Sequence, residues 1–342
     1  MRLSILSIAA LLVLSVTSCK KDDPEPVTPP GGGGTVTYDC VGVANGTAVV
    51  GSACDDGDES TFNDTWNVNC ECVGSNEPPR LILQFHFDST QVRLNSFGQP
   101  ADVPAGHGAQ HPRFNAMSGH YVEFAPTAWT LPGQGAVVYH APETTAGGDN
   151  AIDFSQAILA GEGEAFLDIP LSELPAGTYP YLRVSIGYQN YDIDFRANGL
   201  DLQGTIASFI GFNTYISSFA VNQQMVTVND DKLQGFWAFE VIDPPFPLAP
   251  ITGQAPPGAT TVPNPIFNSS PIPQGSCLVT GVFPEQLTIT GNETHDVVIR
   301  VSMSINNSFE WIDVSGDNIY EPGAGDLVID MGTRGMVPTR LQ

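Results

Sequence analysis

Positive charge is scarce in this chain. Twelve Lys and Arg stand against 37 Asp and Glu over 342 residues, a formal charge of −25 at pH 7. So acidic a surface repels phosphate backbones, which excludes nucleic acid as a partner, and it disfavours anionic membrane surfaces while drawing divalent cations. Long apolar runs are absent beyond the first 18 residues, so no segment of about 18 apolar residues is left to span a bilayer. There is no G-x-S-x-G, no H-E-x-x-H and no P-loop glycine pattern, and hence no motif for nucleophilic, zinc-protease or phosphoryl chemistry. No stretch keeps a helical period; "FSQAILAG" (154–161) makes two turns at most.

What is present begins with a leader. Arg2, the apolar "ILSIAALLVLSV" and the small pair Thr17-Ser18 lead to Cys19, the layout of a signal peptide over residues 1–18. "SVTSC" resembles the lipobox of bacterial lipoproteins. The resemblance implies cleavage before Cys19 and acylation of that residue, the plain alternative being an ordinary cleaved signal. The following "KKDDPE" resembles the acidic export tag of Bacteroidota-type surface lipoproteins. It implies an outer-membrane location facing the cell exterior, with the membrane as a partner through lipid alone. Residues 19–37, with "PVTPPGGGGT", form a tether; its 18 residues after Cys19 reach roughly 60 Å when extended.

Residues 38–75 hold Cys40, Cys54, Cys70 and Cys72 and almost no apolar mass beyond Phe62, Trp66 and Val49. In an oxidising compartment two disulfides are expected, with Cys70 and Cys72 pairing to Cys40 and Cys54 rather than to each other. A zinc site is the rival, weakened because no histidine lies in the segment. The pattern "CDDG…ND.W…C.CVG" resembles a Cys-rich repeat of Bacteroidota-type surface proteins, which implies a spacer or adhesion context. Asp55, Asp56, Asp58, Glu59 and Asp64 crowd this segment; calcium and a solvated acidic loop are the two readings, and the loop is preferred.

From residue 80 to 342, short Val/Ile/Phe-rich runs recur. "LILQFHF" (81–87) alternates perfectly, and 120–124, 136–140, 165–169, 181–188, 206–212, 219–228, 236–242, 277–283, 286–290, 296–305 and 326–330 read as further strands. The expected fold is all-β, an antiparallel β-sandwich of jelly-roll type behind a small disulfide-rich module and a flexible tether. The Pro-rich stretch 244–277 reads as a long ordered loop, functional or covering a sheet edge, and Cys277 as a buried free thiol.

Two constellations are candidates for metal. His86, His120 and His140 fall in or beside strands that can be neighbours, a set suited to copper or zinc. The opening strand resembles that of a copper-binding bacterial lipoprotein family, without a motif that carries residues over. Asp313, Ser315, Asp317, the Ile319 carbonyl and Glu321 take alternate places of a calcium loop. Asn318 stands at its left-handed sixth place, and Asp326 replaces the acidic twelfth residue, where Ala324 stands. The function expected is non-catalytic binding or adhesion toward a glycan or surface protein. A Cu/Zn-binding lipoprotein and a carboxylate-based glycan hydrolase are the alternatives, and Trp129, Tyr188, Tyr191 and Tyr215 are either sugar-stacking or core aromatics.

Overall fold

The computed structural model describes residues 36–95, 98–244, 247–255 and 277–341. The leader, Cys19, most of the tether and residues 256–276 of the Pro-rich stretch lie outside them. Within them the chain is all-β, with single 3-10 turns, as at 154–156 in place of the two helical turns allowed by sequence.

The longest strand organises the molecule. β10 (Gly177–Ala197) has β5 (Arg113–Ala125) along one edge. Its other edge is shared: residues 177–186 pair with β16 (Cys277–Ile289), and residues 188–197 pair with β11 (Leu200–Phe209). The switch falls at Gly187, whose carbonyl accepts the amides of Ile210 and Gly211. β6 (Ala136–His140) continues the sheet beyond β5, and β14 (Phe236–Val241) and β15 (Ile251–Gln254) beyond β11. β15, inside the stretch read as a loop, is an edge strand, the position where flanking prolines are tolerated.

Three smaller sheets complete the body. β20 (Met336–Arg340), β17 (Val297–Ser304), β3 (Arg80–Asp88) and β9 (Ala165–Pro170) form one. β13 (Met225–Leu233), β12 (Asn213–Ala220), β8 (Ala151–Asp153) and β7 (Glu143–Thr144) form another, and β19 (Leu327–Met331), β18 (Phe309–Ile312) and β4 (His107–Gln110) the last. Pairing is antiparallel except for two parallel pairs, β17 with β3 and β12 with β8, which depart from a purely antiparallel sandwich.

The alternation of β3 does what its sequence dictates. Leu81, Leu83 and Phe85 are fully buried opposite Val297, Ile299 and Val301 of β17, each contributing about 1.5–3 kcal/mol by burial. The strands of β10, β5, β16 and β9 close this main core. An aromatic chain runs on from it: Phe166, Phe85, Phe87, Phe114 and Tyr191 have successive ring centroids 3.9, 6.1, 4.8 and 4.9 Å apart. Tyr191 and Ile193 then pack with Phe309 and Trp311. Tyr188 joins a further cluster with Phe209, Ile216, Phe219 and Phe236.

The Cys-rich segment is built differently. β1 (Phe62–Trp66) and β2 (Cys72–Ser75) form a two-stranded sheet crosslinked by Cys40–Cys70 and Cys54–Cys72. Its valines stay outside: Val41, Val43, Val49, Val50, Val68 and Val73 are all exposed. The segment is nevertheless docked. Asn63, in left-handed backbone at φ 57°, donates from Nδ2 to Asp296 Oδ1 at 3.0 Å and accepts the Asp296 amide at 2.7 Å, and its own amide reaches the Thr294 carbonyl at 2.8 Å.

Candidate metal centre

His120 lies inside β5 at a defect in the ladder. Tyr121 stands opposite Ser185 and Gly119 opposite Ile186, so His120 is an extra residue with no partner on β10. A bulge of this kind re-aims a side chain that regular pleating would send elsewhere. The His120 carbonyl is taken by the amide of Ala141, just after β6. That contact draws β6 and β7 over the bulge. His140, opposite Tyr121 at the end of β6, and Glu143, at the start of β7, arrive on the same spot.

The result is a compact donor set. Glu143 Oε1 is 3.1 Å from His120 Nε2 and 3.1 Å from His140 Nε2. One ligand atom from each of the three residues lies within 4.8 Å of the other two. The imidazole centroids are 5.0 Å apart, and the Phe212 ring backs His120 at 5.6 Å. Asn150 Nδ2 donates to Glu143 Oε2 at 2.7 Å and orients the carboxylate.

Burial is graded across the set. His120 is fully buried, Glu143 mostly so, and the His140 side chain is 43 % exposed, which gives an ion a way in. Burial pushes the His120 pKa down against the pull of Glu143, so it stays neutral, the form that ligates. The hydrogen bond from His120, helped by Asn150 and His140, pulls Glu143 down to about 2 against its own burial, so it stays ionised. Two imidazoles and one carboxylate match the His₂Glu set of zinc sites that keep a fourth position open, and imidazole equally suits copper.

The third expected histidine belongs elsewhere. His86 lies on β3, in a different sheet, with Nδ1 2.5 Å from Glu162 Oε1; the residue that joins His120 and His140 is Glu143, and not His86. Outward-facing positions of β3 point away from β5 and β6, so alternation alone separates it. His107 is the first residue of β4. It faces Glu310, a buried carboxylate also held by Arg93 and Arg334. His111 accepts the Asn307 amide.

The 313–326 loop closes on its own backbone. Asp313 accepts the amides of Gly316 and Asn318, both at 2.7 Å, Asp317 that of Ile319 at 3.0 Å, and Asp326 those of Val314 at 3.0 Å and Glu321 at 2.7 Å. Ser315 bridges Asp313 and Asp317 through its hydroxyl. Asn318 does take the left-handed conformation, φ 59°. The carboxylates of Asp313, Asp317, Glu321 and Asp326 do not gather three together within ligand distance, as those of the histidine site do.

Of the aromatics, Tyr188 and Tyr191 are core residues, whereas Trp129 is 90 % exposed. Cys277 is half-buried beside the main core; burial first and Asp330 second push its thiol up to about 12. Glu143 carried a faint signal in the sequence, standing three residues after His140 in "YHAPET", with Pro142 to turn the chain between them. No protein-family model, curated protein or solved structure matches this chain.

Proposed function

We propose that the protein is a lipid-anchored, extracytoplasmic protein that binds a borderline divalent ion, zinc or copper(II), through His120, His140 and Glu143. The observation that carries the reading is the bulge at His120, which brings a buried neutral imidazole onto the same point as a second imidazole and an ionised carboxylate. The leader and Cys19 motivate the anchor, and the overall acidity favours any cation approaching the site. Protein purified without chelators should carry close to one equivalent of zinc or copper by elemental analysis. His140→Ala, at the exposed edge of the set, should weaken calorimetric zinc binding at least tenfold. Background metal content together with no binding heat from either ion would end this reading.

A second reading, binding of a glycan, rests on a cleft of about 620 Å³ between β4, β10 and β11. It is lined by Gln110, Asp194, Arg196, Gln203 and Asn318 with the Trp311 and Tyr320 rings. Planar amides, charges and rings together suit a hydroxyl-rich ligand. Glycan-array binding lost in Gln203→Ala is the expected outcome; an array without any positive speaks against it.

A further inference from the structure

The Cys-rich module has one buried side chain over residues 38–75, and it is a carboxylate. Asp64 is 8 % exposed in a segment whose valines face solvent. A buried charge is ordinarily paired or bound to metal. No basic side chain pairs with Asp64 among the described residues. Its Oδ2 accepts the Asp56 amide at 3.1 Å, and its Oδ1 is buried with no hydrogen-bond partner.

This carboxylate is placed deliberately by the fold. β1 has one more residue than β2 between Phe62↔Ser75 and Thr65↔Val73, and Asp64 sits in that irregularity. Gly74 lies under it; a Cβ there would be 2.2 Å from Asp64 Oδ1 and 2.7 Å from Thr61 Oγ1, so only glycine lets the carboxylate sit this close to β2. Asp55 and Asp56 come in from the turn after Cys54. One carboxylate oxygen from each of Asp55, Asp56 and Asp64 lies within 4.8 Å of the others. Asp55 Oδ1 is held by the Gly57 amide at 2.8 Å, and Asp56 Oδ1 by the Asp58 amide at 2.9 Å.

We infer that Asp55, Asp56 and Asp64 form a calcium site in the module. All three donors are carboxylate oxygens, and Asp55 and Asp56 are exposed to solvent, which fits a hard cation of flexible coordination better than zinc. The ion neutralises the buried carboxylate that the module cannot pair by itself. Because Asn63, next in the chain, pins the module to Asp296, the ion also braces that docking.

The test is calorimetric titration of the full-length, disulfide-intact protein with CaCl₂, in a His140→Ala background so that the histidine site is silent. One equivalent should bind with a dissociation constant on the order of 10⁻⁴–10⁻³ M, the range of extracellular calcium modules. Asp64→Asn should abolish it. Asp55→Asn, an exposed position where the amide oxygen still accepts from Gly57, should weaken it at least tenfold without disturbing the fold. Asp313→Asn should leave it unchanged. Absence of binding, binding retained in both module variants, or binding lost in Asp313→Asn would overturn the assignment.

Discussion

The body and the module of this protein solve the same problem with opposite means. In the body, His120 is aimed by a bulge backed by a large apolar core; Met117, Val122 and Phe124 of the same strand β5 are fully buried. In the module, Asp64 is aimed by an irregularity of β1 with no apolar core behind it, and two disulfides take the place of packing. A precisely placed side chain needs a rigid frame, and the comparison shows that packing and covalent closure are interchangeable as its source once the segment falls below about 40 residues.

The comparison is broken or sharpened most strongly at Phe85. Phe85→Ala removes the ring stacked on Phe166 at the centre of the main core, and should destabilise the body by about 3–5 kcal/mol in denaturant melts. Its disulfides should remain formed. Replacing Cys54 and Cys72 together by serine is the reciprocal experiment. Opening an 18-residue separation should cost the module about 3 kcal/mol, read as faster amide exchange over residues 38–75 with the body's exchange unchanged. If the body melts with the module, the two are not separately supported. Asn63→Ala tests the joint between them. It loses the reciprocal bonds to Asp296 and places a Cβ residue without a polar side chain at φ 57°, for an expected loss of about 2 kcal/mol confined to the module.

The smallest effect is acid sensitivity at the cluster of His120, His140 and Glu143. Glu143 titrates low in the folded state, so its stabilisation is complete above its ordinary value of 4.5 and fades as pH falls from there toward about 2. His120 is held neutral by burial, so the unfolded chain takes up its proton first and stability begins to decline below the ordinary value of 6.5. The metal-free protein should lose about 1 kcal/mol from Glu143 across the lower window, discounted for its partial exposure, and Glu143→Gln should flatten that part of a chemical-denaturation pH series.

Much of this was legible in the residues, and the misses have physical causes. Clean alternation located β3, and β6 was delimited correctly as 136–140. The run 219–228 merged two strands, because the turn at Val221–Gln224 contains neither Gly nor Pro. The runs 277–283 and 286–290 are one strand, β16, continuing past Pro284 where the register to β10 slips between Tyr179 and Tyr181. β4 went unseen because "HGAQ" has no strand propensity; it forms by pairing with β18, and Gly108 is required there since a Cβ would strike the Trp311 ring at 2.4 Å. The cysteine partnership was readable from spacing, whereas the choice of Cys40 with Cys70 needed three dimensions. Of the histidine cluster, His120 and His140, which the structure brings together, were on the page, but a bulge has no periodic signature, and Gly119 beside His120 was its one trace.

The Cys40–Cys70 bridge has a mechanical consequence. A pull applied at the N-terminal side of Tyr38 passes through the bridge to residue 70 and on into β3, bypassing a loop of 30 residues. About 100 Å of slack chain is thereby locked away until a reductant cuts the sulfur link. β3 then meets the load flanked by β17 over residues 81–88 and by β9 over residues 80–84, so its hydrogen bonds are sheared together instead of being unzipped one by one.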